Sequence, residues 1–172
     1  LKYHGFIEQD ELTQKYRLGI RLIGLGDLVV NSLNIPGIAY PVIESICEKT
    51  EETVHVAMLD GSDVVYIGKK ECNKSIKTTT KIGSRIPAYF TADGKVILSH
   101  LDEERLDNII PQNIDRLTPF TITDRQKLIE VLREVRDKGY SVDYEETIHG
   151  LICVAAPIFD YTGAVKYSVS TT

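Results

Sequence analysis

The sequence has no tryptophan, one methionine and three cysteines among its 172 residues. Cys47, Cys72 and Cys153 are widely spaced and form no C-x-x-C pair. They therefore predict no disulfide framework and suit a reducing cytoplasm. The four histidines are scattered along the chain as well. Because neither residue type shows metal-ligand spacing and no nucleotide-binding motif is present, we expect no metal and no cofactor.

Long apolar runs and an excess of positive charge are also missing. No stretch approaches the roughly 20 apolar residues that a membrane-spanning helix needs, so we expect no membrane contact and a cytoplasmic location. The net charge is −5. A protein that grips DNA neutralises phosphates with lysine and arginine. We therefore expect that this chain alone does not bind DNA.

The length and the apolar fraction of 42% are typical of one main globular domain with an added element. Near the start, Gly5–Glu8 and Lys15–Leu18 flank a polar segment and predict a β-hairpin. A two-stranded hairpin is marginal alone, so it is either an arm of the main domain or the end of a preceding module. Residues 20–32 then show apolar side chains at helical spacing and predict a linker helix, which could also be a dimer seam.

Strand patterns occur in two parts of the remaining sequence. Thr53–Leu59 alternates and is followed by the turn signal Asp60-Gly61 and a return strand from Val64. The threonine-rich segment Ser75–Lys81 predicts a third strand. After Gly139, three further strands are predicted to residue 172. Helical patterns separate the two groups, so the sequence predicts an α+β domain with a central antiparallel sheet flanked by helices.

Helix ends carry recognisable caps. Thr91 and Asp102 are predicted N-caps, and Thr123 opens a capping box with Gln126. Gly139 is placed as the left-handed exit of the helix that this box begins.

Two stretches, Gly83–Lys95 and Tyr140–Cys153, are predicted to face each other across a small-molecule pocket. The first contains the helix start at Thr91, where free backbone N–H groups of Ala92 and Asp93 offer a seat for a small anion. The second contains acidic residues and returns into an apolar strand. These positions predict a binding site at the junction of helix and sheet.

Several candidate residues keep two interpretations. Asp143, Glu145 and Glu146 fit acid–base chemistry or a solvated loop. Cys153 fits a buried small side chain better than a nucleophile, because His149 is poorly placed as its base. In the last strand, Lys166, Ser168, Ser170 and Thr172 share one face, which is either solvated or a pocket wall offering hydroxyl groups.

Five segments then occur in a characteristic order and spacing. They are GSRIP at 83–87, TADGK at 91–95, LTP with TIT at 117–123, RDKGY with VDYEE at 136–146, and GLICVAAP at 150–157. Together they resemble the effector-binding domain of IclR-type bacterial transcriptional regulators. Residues 1–19 resemble the wing of that family's winged helix-turn-helix domain.

The resemblance implies a GAF-like, profilin-like α+β domain. It implies a remnant wing hairpin at 1–19, a linker helix at 20–35 and the effector-binding domain at 36–172. The implied function is sensing an organic acid, a sugar acid or an aromatic metabolite, with the linker helix relaying the response to operator DNA, as in a repressor. It further implies a non-enzymatic homodimer or homotetramer, whose DNA contacts come from helices outside this chain.

The resemblance also implies which residues bind the effector. They are Thr78, Ile86, Ala92, Asp93, Asp143, Leu151, Cys153, Ser170 and Thr172. Two of them depart from the family pattern. Asp93 places an acid where a small or apolar side chain is usual, and it disfavours an anionic ligand if it points inward and is ionised. Thr78 is more polar than an apolar wall requires.

Two other functions stay open at the level of sequence. One is a GAF-like enzyme that uses Cys153 on a small sulfur-containing substrate, which requires a thiol with a lowered pKa. The other is a dimerisation module with a filled core, which an internal cavity would argue against.

Overall fold

The computed structural model describes residues 1–32, 35–72 and 80–172. They form two compact units, Leu1–Ile38 and Ala39–Thr172. The predicted strand Ser75–Lys81 lies mostly outside the described residues, and its last two residues are not in a strand. Within the described ranges, no helix combines the length and the apolar character needed to cross a membrane.

The first unit opens with the predicted hairpin, which is confirmed. Strands β1 (Ile7–Gln9) and β2 (Tyr16–Leu18) pair antiparallel. Asp10 holds the turn between them, because its Oδ1 accepts the N–H groups of Leu12 and Thr13 at 3.0 and 2.7 Å. A short aspartate side chain of this kind replaces backbone hydrogen bonds that a tight turn leaves open.

Two helices complete the first unit. They are α1 (Arg21–Ser32), which follows the predicted linker helix closely, and α2 (Ile35–Ile38). The two glycines within α1 do not interrupt it. Several large apolar side chains around α1 are exposed: Ile20, Ile23, Leu25, Leu28 and Val29.

The second unit is built on a six-stranded sheet in the order β5-β4-β3-β8-β7-β6, in which all neighbours are antiparallel. The strands are β3 (Val54–Asp60), β4 (Asp63–Lys70), β5 (Arg85–Pro87), β6 (Ser141–Tyr144), β7 (Ile152–Phe159) and β8 (Val165–Thr171). The last strand therefore lies in the middle of the sheet, between β3 and β7. The predicted α+β class with a central antiparallel sheet is confirmed.

Four helices accompany this sheet: α3 (Tyr40–Thr50), α4 (Ala92–Leu98), α5 (Glu103–Ile109) and α6 (Arg125–Lys138). Helix α3 packs on β3, β4 and β8, whereas α4 packs on β6, β7, β8 and α6. The alternating side chains of residues 54–57 in β3 are all buried. Both faces of β3 are therefore covered, and the main core lies around α4, whose residues are all buried.

Local side-chain chemistry sets most helix ends as predicted. Thr91 Oγ1 accepts the N–H of Gly94 at 2.9 Å, and Asp102 Oδ1 accepts the N–H of Arg105 at 2.8 Å. Gly139 ends α6 with a φ of 76°, in the left-handed region that glycine adopts without strain.

The predicted cap of α6 is wrong by one residue. Asp124, rather than Thr123, is the N-cap, and its Oδ1 accepts the N–H of Lys127 at 2.7 Å. Thr123 instead accepts a hydrogen bond from Arg116 at 3.4 Å. Both residue types cap helices well, and the contact with Arg116 joins residues that the capping-box pattern does not consider.

We expect Asp124→Ala to lower the free energy of unfolding by about 1 kcal/mol, because it removes the carboxylate that caps α6. Thr123→Ala is the matched control and should cost only a few tenths of that, since its contact is long and partly exposed. Urea unfolding of both variants measures the difference. Equal losses, or a larger loss for Thr123→Ala, would contradict this assignment of the cap.

Candidate functional site

The start of α4 lies in close contact with the turn before it. Residues 88–90 form one turn of 3-10 helix, and Thr91 then adopts an extended backbone and caps α4. A Cβ atom on Gly94 would lie 1.9 Å from the carbonyl oxygen of Ala88. Glycine at position 94 therefore permits this close approach of α4 to the preceding turn.

Asp93, in this first turn, carries a buried carboxyl group. Its Oδ1 accepts a hydrogen bond from the Ser168 hydroxyl of β8 at 2.7 Å. Burial raises the pKa of Asp93 to about 6, hydrogen bonding with Ser168 and Ser170 opposes that shift, and the charge of Asp143 adds to it. Asp93 is thus an acid that titrates near neutral pH and is tied to the central strand of the sheet.

A cavity of about 260 Å³ lies between the start of α4 and the sheet. The structure brings most of the predicted site residues together in its wall: Ile86, Ala92, Asp93, Asp143, Leu151, Cys153 and Thr172. Ser170 is buried behind Asp93 rather than in the wall. Thr78 lies outside the described residues. Since these residues come from separate elements, the fold assembles the cavity by tertiary contacts alone.

Six further wall residues were not among the predicted binding residues, although Thr91, Thr147 and Ile148 fall in the two stretches predicted to face the pocket. The six are His55, Tyr66, Thr80, Thr91, Thr147 and Ile148. The rings of His55 and Tyr66 lie 5.2 Å apart, and burial lowers the pKa of His55 to about 4, so its imidazole is neutral at pH 7. Strand register could have identified His55, because it pairs with Ser170 of β8 and paired residues point to the same face.

Strand β8 also departs from the simple alternation expected of it. Ser168 and Ser170 are buried as one face, but Lys166 is exposed and Val165 is buried. The pairing of β7 with β8 shifts by one residue next to Phe159. Such an irregularity reverses the side-chain alternation beyond it, so the predicted face holds only from Ser168 onward.

A loop at residues 145–151 closes one side of the cavity. Asp143 holds its start, with Oδ1 accepting the N–H of Glu146 and Oδ2 accepting the Thr147 hydroxyl, each at 2.7 Å. Glu145 is not on a strand beside Asp143; it turns the chain with a φ of 58°. Its carboxylate accepts the N–H of Gly150 at 2.8 Å. Asp143 and Glu145 therefore shape this loop rather than form an acid–base pair.

A buried ion pair ties the 145–151 loop to α4. The Nζ of Lys95, fully buried, contacts the carboxylate of Glu146. Burial raises the pKa of the Glu146 carboxyl, and the Lys95 ammonium opposes this effect. The Thr121 hydroxyl donates to the Glu146 carbonyl oxygen at 2.7 Å, and the Thr118 hydroxyl to that of Glu145 at 2.7 Å. The loop is therefore anchored on two sides.

Cys153 lacks the surroundings of a catalytic nucleophile. Its Sγ contacts the Thr172 hydroxyl at 3.2 Å, and burial raises its pKa to about 11. His149 pairs with Glu145 and stacks on Phe120, away from the thiol. A reactive cysteine needs a lowered pKa and a base. The structure therefore does not support the enzyme alternative.

A second, larger cavity of about 700 Å³ lies elsewhere, next to the β3–β4 turn and α5. Its charged wall residues, Arg105 and Lys166, are both exposed, and none of its wall residues is among the predicted effector-binding residues. Among the residues that the structure describes, no group of three histidine, cysteine or acidic side chains could hold a metal. The smaller cavity, with its buried carboxyl groups, is the candidate site.

Comparison with known proteins finds similarity to bacterial transcriptional regulators. The family model for the C-terminal part of the bacterial transcriptional regulator IclR matches residues 27–172. The HTH-type transcriptional regulator XynR of Escherichia coli K12 is 34% identical over 171 residues. The HTH-type transcriptional repressor AllR of Salmonella paratyphi A is 32% identical over the same length.

This chain covers only part of those relatives. Each match includes 99% of this chain, but 68% of XynR and 63% of AllR, so the chain spans about two thirds of their length. Among solved structures, IclR of Thermotoga maritima superposes with a TM-score of 0.81 at 36% identity, covering 99% of this chain and 69% of that one.

Proposed function

This chain belongs to the IclR family of bacterial transcriptional regulators and contains its effector-binding domain, and we propose that the full-length protein senses a small molecule in the 260 Å³ cavity. The observation that carries this proposal is the position of the buried Asp93 carboxyl group in the cavity wall. A buried polar group facing an internal space is typical of ligand recognition.

We assign three roles along the chain. Residues 1–19 are the wing of a winged helix-turn-helix domain, residues 20–35 the linker helix, and residues 36–172 the effector-binding domain. Ligand binding changes the packing of the effector-binding domain, and the linker helix passes this change to the DNA-binding domain. Such coupling between two sites is typically worth about 1–3 kcal/mol.

The partners follow from the same assignment. Operator DNA is bound in the cytoplasm by the full-length protein, and the net charge of −5 on this chain agrees with DNA contacts made elsewhere. The exposed apolar side chains of α1 support assembly as a homodimer or homotetramer, because exposed apolar patches mark association surfaces. The raised pKa of Cys153 supports a sensor rather than an enzyme.

A ligand screen on the full-length protein tests this function. Organic acids, sugar acids, phenolic acids and their amine and alcohol counterparts are added during thermal unfolding. An effector at 100 times its Kd should stabilise the protein by about 2.7 kcal/mol. It should also change the affinity for DNA fragments selected from the source genome, as measured by fluorescence anisotropy.

Two variants test whether the effector binds in the cavity. Thr172→Val removes a hydroxyl from the cavity wall while keeping the side-chain volume, so it should weaken binding of the effector. Thr123→Val, outside the cavity, is the control and should leave the affinity unchanged. An effector that binds both variants equally, or that leaves DNA affinity unaltered, would count against the proposed site or the proposed function, respectively.

A further inference from the structure

Two buried carboxyl groups line the candidate cavity. Asp93 and Asp143 are each 2% exposed, and they come from α4 and β6. They are close enough that the charge of Asp143 acts on Asp93. Asp143 accepts hydrogen bonds from the Glu146 N–H and the Thr147 hydroxyl. The wall therefore brings two buried carboxyl groups together beside one internal space.

No lysine or arginine occurs among the described residues of this wall. Two lysines near it in the described part of the chain have partners: Lys95 pairs with Glu146, and Lys69 Nζ donates to the carbonyl oxygen of Thr80 at 2.7 Å and pairs with Glu71. The described wall thus has acids without a matching cation. Uncompensated negative charge in a low-dielectric site is costly, and a cationic ligand group would remove that cost.

Aromatic surface adds to this preference. Tyr66 lies in the wall beside His55, whose imidazole is neutral at pH 7. An ammonium group near the face of a tyrosine ring gains cation–π attraction. A carboxylate in the same place would face two acids and gain no such attraction.

We propose that the effector of this cavity carries a protonated amine that is bound between Asp93 and Asp143. The inference rests on the proposed function, since it names the chemical class of the molecule sensed there. The hydroxyl groups of Thr80, Thr91 and Thr172 lie in the same wall and suit polar groups on the rest of the ligand. An acid group elsewhere on the molecule is compatible, provided that the amine faces the two aspartates.

The pH dependence of binding follows from Asp93. The groups that face it are Asp143 on β6, Tyr66 on β4, Cys153 on β7 and the two serines of β8. Burial raises the pKa of Cys153 to about 11 and also raises that of Tyr66, so neither ionises near neutrality. Asp93, with a pKa of about 6, loses its proton between pH 5 and 7.5. Amine affinity should therefore rise over this range, whereas carboxylate affinity should fall.

Two scaffolds, each in three forms, test the proposal on the full-length protein. They are benzylamine, benzyl alcohol and benzoate, and glucosamine, glucose and glucuronate. Titration calorimetry at pH 7.5 should give the amine the highest affinity in each scaffold that binds, about tenfold or more above the alcohol. At pH 5 this advantage should shrink.

Variants locate the effect. Asp93→Asn keeps an acceptor for Ser168 and should weaken amine binding by about 10- to 100-fold while changing alcohol binding by less than threefold. Asp143→Asn is a second variant should the first fail to fold. Asp137→Asn, at an exposed position on α6, is the matched control and should preserve the amine preference.

Results that would overturn the amine proposal differ from those that would overturn the proposed function. Failure of both amines to bind, or tighter binding of either acid than of its amine, would overturn the amine proposal. If an acid binds and loses affinity in Thr172→Val, the cavity is still the effector site and the proposed function stands. The proposed function itself is decided separately, by the wider screen and the DNA assay.

Discussion

Lys95→Met is expected to lower the free energy of unfolding by about 3–5 kcal/mol at pH 8, because it leaves the buried carboxylate of Glu146 without its partner. The loss should be smaller at pH 5. Burial already raises the pKa of Glu146, so without Lys95 this carboxyl group takes up a proton more readily and avoids the cost of a buried charge. Urea unfolding at both pH values measures the effect.

Two comparisons isolate the buried pair. Lys127→Met removes the lysine of an exposed pair with Glu130 at 3.7 Å and should change stability by less than about 0.5 kcal/mol. The double variant Lys95→Met with Glu146→Leu removes both charges and should recover most of the loss. If the double variant is no more stable than Lys95→Met alone, the damage comes from lost packing rather than from an unpaired charge.

Asp93→Asn is expected to stabilise the free protein at pH 7.5 by about 3 kcal/mol at most. The pKa of Asp93 is about 6 in the folded protein and 3.8 as the ordinary value. The folded state therefore binds this proton more tightly than the unfolded state. Stability due to this group is full below pH 4, falls as the pH rises through 6, and is lost above it. Asparagine carries no charge and should abolish this decline.

Thermal unfolding between pH 4 and 8 measures this effect. Asp137→Asn, at an exposed position on α6, is the matched control and should follow the wild-type pH profile. An Asp93→Asn profile that declines as steeply as wild type would show that another group causes the decline.

The expected gain in stability has a functional meaning. A residue that lowers the stability of the empty protein at neutral pH is typically retained for binding. Asp93→Asn should therefore give a more stable protein that senses its amine poorly. The free energy of unfolding measures how much the buried charge destabilises the empty protein. The affinity for the amine measures how much the same charge stabilises the complex.

The sequence predicts a helix boundary correctly where a single residue sets that boundary. Thr91 and Asp102 begin helices through their own side chains, and Gly139 ends a helix through its backbone conformation, without help from distant residues. Where two suitable caps were adjacent, Asp124 caps α6 and Thr123 contacts Arg116, a contact that the sequence pattern does not show.

The residues of the cavity wall were harder to predict from the sequence. Its predicted members lie on four elements, β5, α4, β6 and β7, in the 145–151 loop and just after β8. The residue pattern indicated two stretches that face a pocket, but the resemblance to a family was needed to select the binding residues. His55 and Tyr66 were missed because only the pairing of β3 with its neighbours turns them toward α4. The buried pair of Lys95 and Glu146 was missed for the same reason: the two residues are far apart in the chain, and each alone looks like a surface charge.

The close approach of Gly94 to Ala88 has a consequence for how sequences related to this chain can diverge. Position 94 admits no side chain without moving the turn before α4, so selection should keep it glycine whatever molecule is sensed. The neighbouring residue, Asp93, lies in the cavity wall and bonds to Ser168 of β8. The geometry of the helix start is therefore set by position 94, whereas the chemistry that this start offers to the cavity is set by position 93.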